Sequence, residues 1–314
     1  MTFNVTIIGS NSAVPAHGRH PSAQVVNVHD YLFLVDCGEG TQMRFHEHQV
    51  KWNRIKQIFI SHLHGDHYFG LVGLISTYHL LQRNKPLDIY GPEGLEAIIR
   101  LQLEAGHTTL CYPLQFHVID TTVSKVIFED KGVEVMTIPL HHRIPCAGFL
   151  FREKFEGRKV DKEKLAALQL PLHLIPPIKH GEDITDPHTG RIIPNKELTV
   201  PHPPARSYAY CSDTAYSETV IECVKGVDLV YHDCTFDKAS EARAAATFHG
   251  TTEQAARVAD AAGASQLLIG HFSARFENLD TLLEEARAIF PATELATEGS
   301  VFDVGVKAPH TAYN

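Results

Sequence analysis

The heptapeptide Ser61-His62-Leu63-His64-Gly65-Asp66-His67 confines three imidazoles and a carboxylate to one short turn. It follows Lys56-Gln57-Ile58-Phe59-Ile60, an apolar run short enough to be a buried strand. Beyond it Leu71, Val72, Leu74, Ile75, Tyr78 and Leu81 recur at helical spacing, so the cluster lies where a strand becomes a helix. Side chains alternate along a strand, so His62 and His64 point the same way, while Asp66 and His67 face a second point from the following turn. Four polar side chains beside a buried strand need compensation. Neutral imidazole with carboxylate suits zinc, with manganese or iron as alternatives. One such run half-fills two sites, and the rest of the chain must supply the missing ligands.

Three later points repeat the pattern of a ligand-type side chain directly after an apolar strand. Val135–Leu140 ends in His141-His142, Tyr208–Ser212 ends in Asp213, and Leu267–Gly270 ends in His271. Each alone is weak, but together they complete a two-metal site. The histidine pairs elsewhere read differently. His46 and His48 fall on an expected helix, where residues two apart diverge, and are expected to be solvated. His180, His188 and His202 are expected to face solvent or a bound ligand, not a metal.

The 314 residues can bury a large core as one big domain or two ordinary ones. No apolar run reaches the roughly 20 residues that span a bilayer. The start of the chain, Met1–Gly9, has no basic flank or cleavage site and reads as a first strand. Six cysteines without a Cys-x-x-Cys pair are expected to be free thiols in a reducing cytoplasm. A net charge of −9 argues against a protein that coats nucleic acid non-specifically. The charge is uneven: Arg152–Arg206 holds ten Lys/Arg against eight Asp/Glu, leaving 18 against 29 elsewhere.

Strands are expected at Val5–Ile8, Ala23–Val28, Tyr31–Val35, Leu87–Tyr90, Leu114–Ile119, Lys125–Phe128, Val133–Ile138 and Ala147–Phe151. Helices are expected over Thr41–Phe45 and Pro92–Leu103, with Pro92 in the first turn. The second half alternates strands (Ser207–Cys211, Leu229–His232, Gln266–Ile269, Thr293–Ala296) with helices (Ser217–Val224, Lys238–Ala246, Thr251–Ala261, Leu279–Ile289). The pattern predicts helices covering a two-sheet core. Between the halves, about 153–206 carries eight prolines from Pro171 to Pro204 and one short helical stretch, Asp161–Leu168. Such proline density excludes continuous helix or central strand. The segment is expected to be an inserted arm with too little apolar content for a core of its own, within a single domain spanning 1–314.

The set His62-x-His64-x-Asp66-His67, His142, Asp213 and His271 resembles the ligands of the metallo-β-lactamase superfamily. Within it the chain resembles the ribonuclease Z family of tRNA 3′-processing endonucleases over nearly its whole length. Asp36-Cys37-Gly38-Glu39-Gly40-Thr41-Gln42, Phe59–His67, Tyr231-His232-Asp233-Cys234-Thr235-Phe236, His249-Gly250-Thr251-Thr252 and His271-Phe272-Ser273-Ala274-Arg275 carry that resemblance. It implies an αββα sandwich with two Zn2+ ions (Mn2+ or Fe2+ as alternatives) at the strand ends. His62, His64 and His142 would hold one ion, Asp66, His67 and His271 the other, and Asp213 would bridge. His142 is preferred to His141 because the family's histidine precedes a strand glycine by six residues, here Gly148.

The implied reaction is hydrolysis of a phosphodiester in precursor tRNA, leaving a 3′-hydroxyl, with the paired ions activating water and neutralising phosphate charge. The leaving oxygen benefits from a proton donor, for which His249 is the candidate, held by Asp233 where the family usually carries glutamate. Asp66 would combine metal ligation with proton acceptance, and Arg275 would meet a phosphate. The 153–206 arm would grip tRNA by phosphate contacts and shape, in a homodimer. Two departures concern substrate: the family's Pro-x-Lys-x-Arg loop reads Pro15-Ala16-His17-Gly18-Arg19, and the arm lacks a clear Gly-Pro run. The competing readings are a hydrolase of small phosphodiesters or other esters with the arm as a lid, and a non-catalytic RNA-binding subunit.

Overall fold

The computed structural model describes residues 2–305. In chain order the first strands are β1 Phe3–Gly9, β2 Ala23–Val28, β3 Tyr31–Val35, β4 Gln57–Phe59, β5 Leu87–Gly91 and β6 Leu114–Val118. β7 Val126–Glu129, β8 Val133–Pro139 and β9 Ala147–Glu153 follow. The arm contributes the two-residue strands β10 Lys159–Val160, β11 Ile184–Thr185, β12 Ile192–Ile193 and β13 Thr199–Val200. The last are β14 Ser207–Cys211, β15 Leu229–Asp233, β16 Gln266–Gly270, β17 Thr293–Leu295 and β18 Val301–Asp303.

Two seven-stranded sheets result, in the orders β18-β1-β2-β3-β4-β5-β6 and β17-β16-β15-β14-β9-β8-β7. Each begins antiparallel and turns parallel, at β3–β4 in one and β14–β15 in the other. Alternation along the strands explains the layering. Tyr208 and Tyr210 of β14 and Leu229 and Tyr231 of β15 face the opposite sheet, with Phe33, Phe59, Phe149 and Phe151. Their neighbours Ala209, Cys211 and Val230 face helices Glu218–Cys223 and Thr252–Ala262 on the outer side. Helices Leu71–Leu80 and Leu95–Ala105 cover the first sheet in the same way. Parallel strands need both faces covered, which is why their sequences are nearly continuous apolar runs. The architecture is the αββα sandwich.

Three expectations need correction. Pro92 precedes its helix, which starts at Leu95 after a left-handed Gly94. β18 was not foreseen; it pairs antiparallel with β1 through Asn4–Thr6 and closes the sheet edge. The 153–206 segment does have a small core, with Leu165, Leu170, Ile178, Ile184, Ile193 and Leu198 all buried. Two of its prolines, Pro176 and Pro177, open the short helix Ile175–His180, where their missing N–H groups cost nothing.

The arm is rooted at Glu153. Its carboxylate accepts hydrogen bonds from Arg206 Nε (2.9 Å), Nη2 (2.6 Å) and backbone N (2.9 Å), and lies 2.6 Å from His29 Nε2. The two ends of the insertion are thus clamped where β9 stops and β14 starts. His202 is half-buried: its ring stacks on Phe155 at 4.6 Å and Nε2 meets the Gly157 carbonyl at 2.9 Å. His180 and His188 are exposed.

Candidate metal centre

Six strands, two from the first sheet and four from the second with β8 among them, end at one rim of the sandwich and deliver polar side chains there. β4 leads to His62 and His64, β8 to His142, β14 to Asp213, β15 to Asp233, β16 to His271, and β3 to Asp36. Asp36, Asp213 and His271 have left-handed backbones, with φ of 56°, 54° and 61°. This conformation costs a non-glycine residue about 1 kcal/mol, and here it turns each chain sharply so that the side chain lies buried at the seam.

Asp213 divides its oxygens between two clusters. Oδ2 is 3.5 Å from His62 Nε2 and 3.8 Å from His142 Nε2. Oδ1 is 3.1 Å from both His67 Nε2 and His271 Nε2. On the first side, His64 Nδ1 lies 3.0 Å from His62 Nε2 and 3.2 Å from His142 Nε2. On the second, Asp66 Oδ2 lies 3.4 Å from His67 Nε2 and 3.6 Å from His271 Nε2. His62, His64, His142 and Asp213 therefore present one set of ligand atoms, and Asp66, His67 and His271 another. His67 Nε2 and His271 Nε2 are buried and hydrogen-bond to nothing among the described residues. Buried polar atoms without partners are costly, and two of them aimed at one carboxylate oxygen fit a divalent cation between them.

Electrostatics agree with that fit. Burial holds the His62 and His142 rings below the ordinary imidazole value, in the neutral form that ligates. Burial opposes a charged His67 ring too, but the Asp213, Asp66 and Asp36 carboxylates outweigh it and push His67 well up. Burial likewise opposes the Asp213 carboxylate, which His271, His67 and His62 nevertheless hold well below the usual range. Two carboxylates, Asp66 and Asp213, thus face the five imidazoles of the two clusters at short range, an environment that a cation would complete.

Groups behind the rings hold them in place through the ring nitrogens that face away from Asp213. Asp36 accepts from the Ser61 backbone N (2.8 Å), Ser61 Oγ (2.9 Å) and Tyr210 OH (2.7 Å), and lies 2.7 Å from His67 Nδ1. Thr235 Oγ1 donates to Asp233 Oδ1 at 2.7 Å and lies 2.9 Å from His271 Nδ1. His142 Nδ1 lies 3.1 Å from the Phe248 carbonyl. Sequence reasoning gave no role to Asp36, Ser61 or Thr235. Asp36 carried the same signal as the others, a carboxylate directly after an apolar strand.

His249 sits beside this centre, with Nδ1 2.7 Å from Asp233 Oδ2. Asp233 is fully buried and also accepts from the backbone N of Thr214 (3.1 Å) and Thr235 (2.9 Å). Burial works against a charged His249, but Asp233 overrides it and raises His249 to about 9. The position is set locally. Thr251 caps helix Thr252–Ala262 in a capping box with Gln254, and Gly250 passes so close that a Cβ there would lie 2.6 Å from the Asp233 carbonyl oxygen. His141 stays outside, its ring against Phe248 and its backbone N on Thr214 Oγ1 at 3.1 Å. His46 is exposed on helix Thr41–Glu47, while His48 just beyond is half-buried.

A cleft of about 480 Å³ opens onto the centre, lined by Asp66, His64, His142, Asp213 and His249 among others. Arg143 is the guanidinium in that lining, with Nη2 3.3 Å from His64 Nε2. The Arg275 side chain is exposed and forms no hydrogen bond or ion pair among the described residues. Arg19 and His17 are engaged in docking two loops, through Asn11 and the carbonyls of Phe276, Glu277 and Ala274. Among the described residues no helix is long and apolar enough to cross a membrane.

Sandwich and paired clusters together define a protein of the metallo-β-lactamase fold. Among solved structures, human tRNase Z, short form, matches with a TM-score of 0.69 at 26% identity, over 96% of this chain and 100% of that one. The metallo-β-lactamase fold protein YhfI from Bacillus subtilis matches with a TM-score of 0.68 at 19% identity, over 96% and 100%. The model of the anti-Pycsar protein Apyc1 family matches residues 3–156. Ribonuclease Z of Bacteroides fragilis is 47% identical over 296 residues, covering 94% of this chain and 97% of that one. Ribonuclease Z of Porphyromonas gingivalis is 45% identical over 302 residues, covering 96% and 99%. The chain belongs to the ribonuclease Z family.

Proposed function

We infer that the protein is an endoribonuclease that removes 3′ trailers from precursor tRNA with the help of divalent metal. The observation that carries this is the division of Asp213 between two ligand clusters, in a chain of the ribonuclease Z family. His62, His64 and His142 would hold one ion, Asp66, His67 and His271 the other, with Asp213 bridging. Zinc is the first choice for so histidine-rich a set, with manganese and iron next. When bound, the pair supplies an activated water and neutralises charge on the phosphate.

The chain's own residues do the rest. Asp66, which also accepts from the Ala13 backbone N at 2.8 Å, is placed to ligate and to take a proton. His249 delivers a proton to the departing 3′ oxygen from the ring nitrogen that Asp233 does not hold. Its exposure to the cleft and its 2.7 Å bond to Asp233 support that role over one as a further ligand. Arg143 and Arg275 are the guanidiniums available to meet flanking phosphates.

The arm's position supports a homodimer. β9 starts beside the metal centre, where the Ala147 backbone N donates to the Ser61 carbonyl at 3.1 Å. It then runs seven residues away from that rim, roughly 20 Å, before the arm begins. An arm rooted at the far end serves a partner subunit's centre more readily than its own. The cytoplasm is the expected compartment for this reaction. The direct test is incubation of purified protein with a 3′-extended precursor tRNA and zinc or manganese, followed by end-mapping. Cleavage leaving a 3′-hydroxyl at the tRNA end is expected; an uncut precursor together with hydrolysis of a small phosphodiester would favour the small-substrate reading.

A further inference from the structure

The lining of the cleft mixes polar and apolar side chains. His142, Arg143, Thr247 and His249 line it, with Ser12 and Glu39. Phe69, Val14, Pro15 and Pro21 line the same space. Phe69 is 61% exposed and Val14 52% exposed, in a chain whose other phenylalanines in the sandwich are mostly fully buried. A single exposed apolar side chain needs no explanation, but two lining one cleft at a metal centre mark a binding surface.

The Phe69 ring is also held in place. Helix Gly65–Tyr68 ends there, with the Phe69 backbone N on the Gly65 carbonyl at 2.9 Å. The ring lies against Gly65, between the ligand candidates His64 and Asp66, so closely that a Cβ on Gly65 would overlap it. Tyr68 meets its edge at 5.1 Å between centroids. An aromatic side chain fixed beside the candidate ligands His64 and Asp66, open to solvent and, among the described residues, paired with no ring but Tyr68, suits a flat apolar ligand group. In a nucleic-acid substrate that group is a base, whose π-face stacks on an aromatic side chain without regard to sequence.

We propose that Phe69 is the stacking platform for a base adjoining the scissile phosphate, with the Val14–Pro15 segment walling the same slot. The proposal rests on the tRNA-processing reading above. It makes Phe69 a positioning residue: stacking splays the nucleotide out of its strand and sets the phosphodiester across the two clusters. The Ala13 backbone bond to Asp66 ties the Val14–Pro15 segment to the same ligand set, so the slot and the centre keep one geometry.

The test pairs enzyme and substrate deletions. Wild type, Phe69→Ala and Phe69→Trp are assayed under kcat/KM conditions on a 3′-extended precursor tRNA. Two further precursors are abasic at the nucleotide immediately 5′ or immediately 3′ of the cleavage site. Phe69→Ala is expected to lose about tenfold on the intact precursor and Phe69→Trp to retain wild-type cleavage. One abasic precursor is expected to cost the wild type a similar factor and to cost Phe69→Ala almost nothing further. Equal cleavage by Phe69→Ala and wild type would overturn the platform. So would an abasic loss of the same size in both enzymes, or a Phe69→Ala defect that tracks lost metal or a changed oligomeric state in sedimentation. A precursor left intact by the wild type overturns the tRNA reading itself, an outcome distinct from additivity in the cycle.

Discussion

Asp36 lies behind the candidate ligands, and four groups converge on its carboxylate, among them His67 Nδ1 at 2.7 Å. A carboxylate behind a ligating imidazole fixes the ring's tautomer and orientation, and its loss typically costs 10- to 100-fold in metal affinity. Asp36→Asn is therefore expected to weaken metal binding by about that factor in a competition titration with a chromophoric chelator. His249 should behave in the opposite way. His249→Ala is expected to lower single-turnover cleavage of precursor tRNA by about 10²- to 10⁴-fold while metal content stays at the wild-type level. Unchanged turnover would remove His249 from the reaction.

At the scale of elements, strands and helices of the sandwich were legible because burial on two faces leaves a strong apolar signal. Ala23–Val28, Tyr31–Val35 and Ser207–Cys211 match the sequence reading to the residue. β18 escaped because a three-residue edge strand with exposed Val301 and Asp303 carries no alternation to detect. The arm's small core escaped because its six apolar residues are spread over 34 positions, Leu165 to Leu198, without a period. The seven ligand candidates were visible as polar residues after apolar runs. Asp36 offered the same signal, a carboxylate after an apolar strand, and was passed over, whereas Ser61 and Thr235 follow no spacing rule because side chains that hold the rings are found only when the rings are in place. The Glu153–Arg206 clamp was equally invisible, because its partners are 53 residues apart.

That clamp supports a stability prediction. Burial pushes the Glu153 carboxyl up, but hydrogen bonds from the Arg206 side chain and backbone and from His29 outweigh it, so its folded pKa lies below the ordinary value. A depressed carboxyl stabilises the fold fully above its unfolded pKa of about 4.3 and loses that contribution as pH falls through the folded value. Glu153→Gln is expected to cost about 2 kcal/mol at pH 7. Urea titrations of the two proteins should show the gap closing below about pH 4.

For the whole molecule, β9 carries the chain away from the metal rim to the arm, and β14 carries it back to Asp213. On the homodimer reading proposed above, one subunit would offer a grip at one end and a reaction centre at the other. Mixing His249→Ala protein with protein lacking residues 154–205 is expected to restore cleavage that neither shows alone, as the hybrid dimer pairs an intact arm with an intact centre. Absence of rescue in a verified hybrid would mean that the arm serves its own subunit. Chelation should abolish cleavage and lower the melting temperature together, because the buried carboxylates and rings around Asp213 then lose their common partner.

The most direct measurement is metal stoichiometry per subunit in wild type and Asp213→Ala, taken beside cleavage of the same 3′-extended precursor. Two ions and cleavage to a 3′-hydroxyl are expected for the wild type, with loss of both in the variant. An Asp213→Ala protein that keeps two ions and full activity, or a wild type that cleaves after exhaustive chelation, would contradict the shared-carboxylate centre.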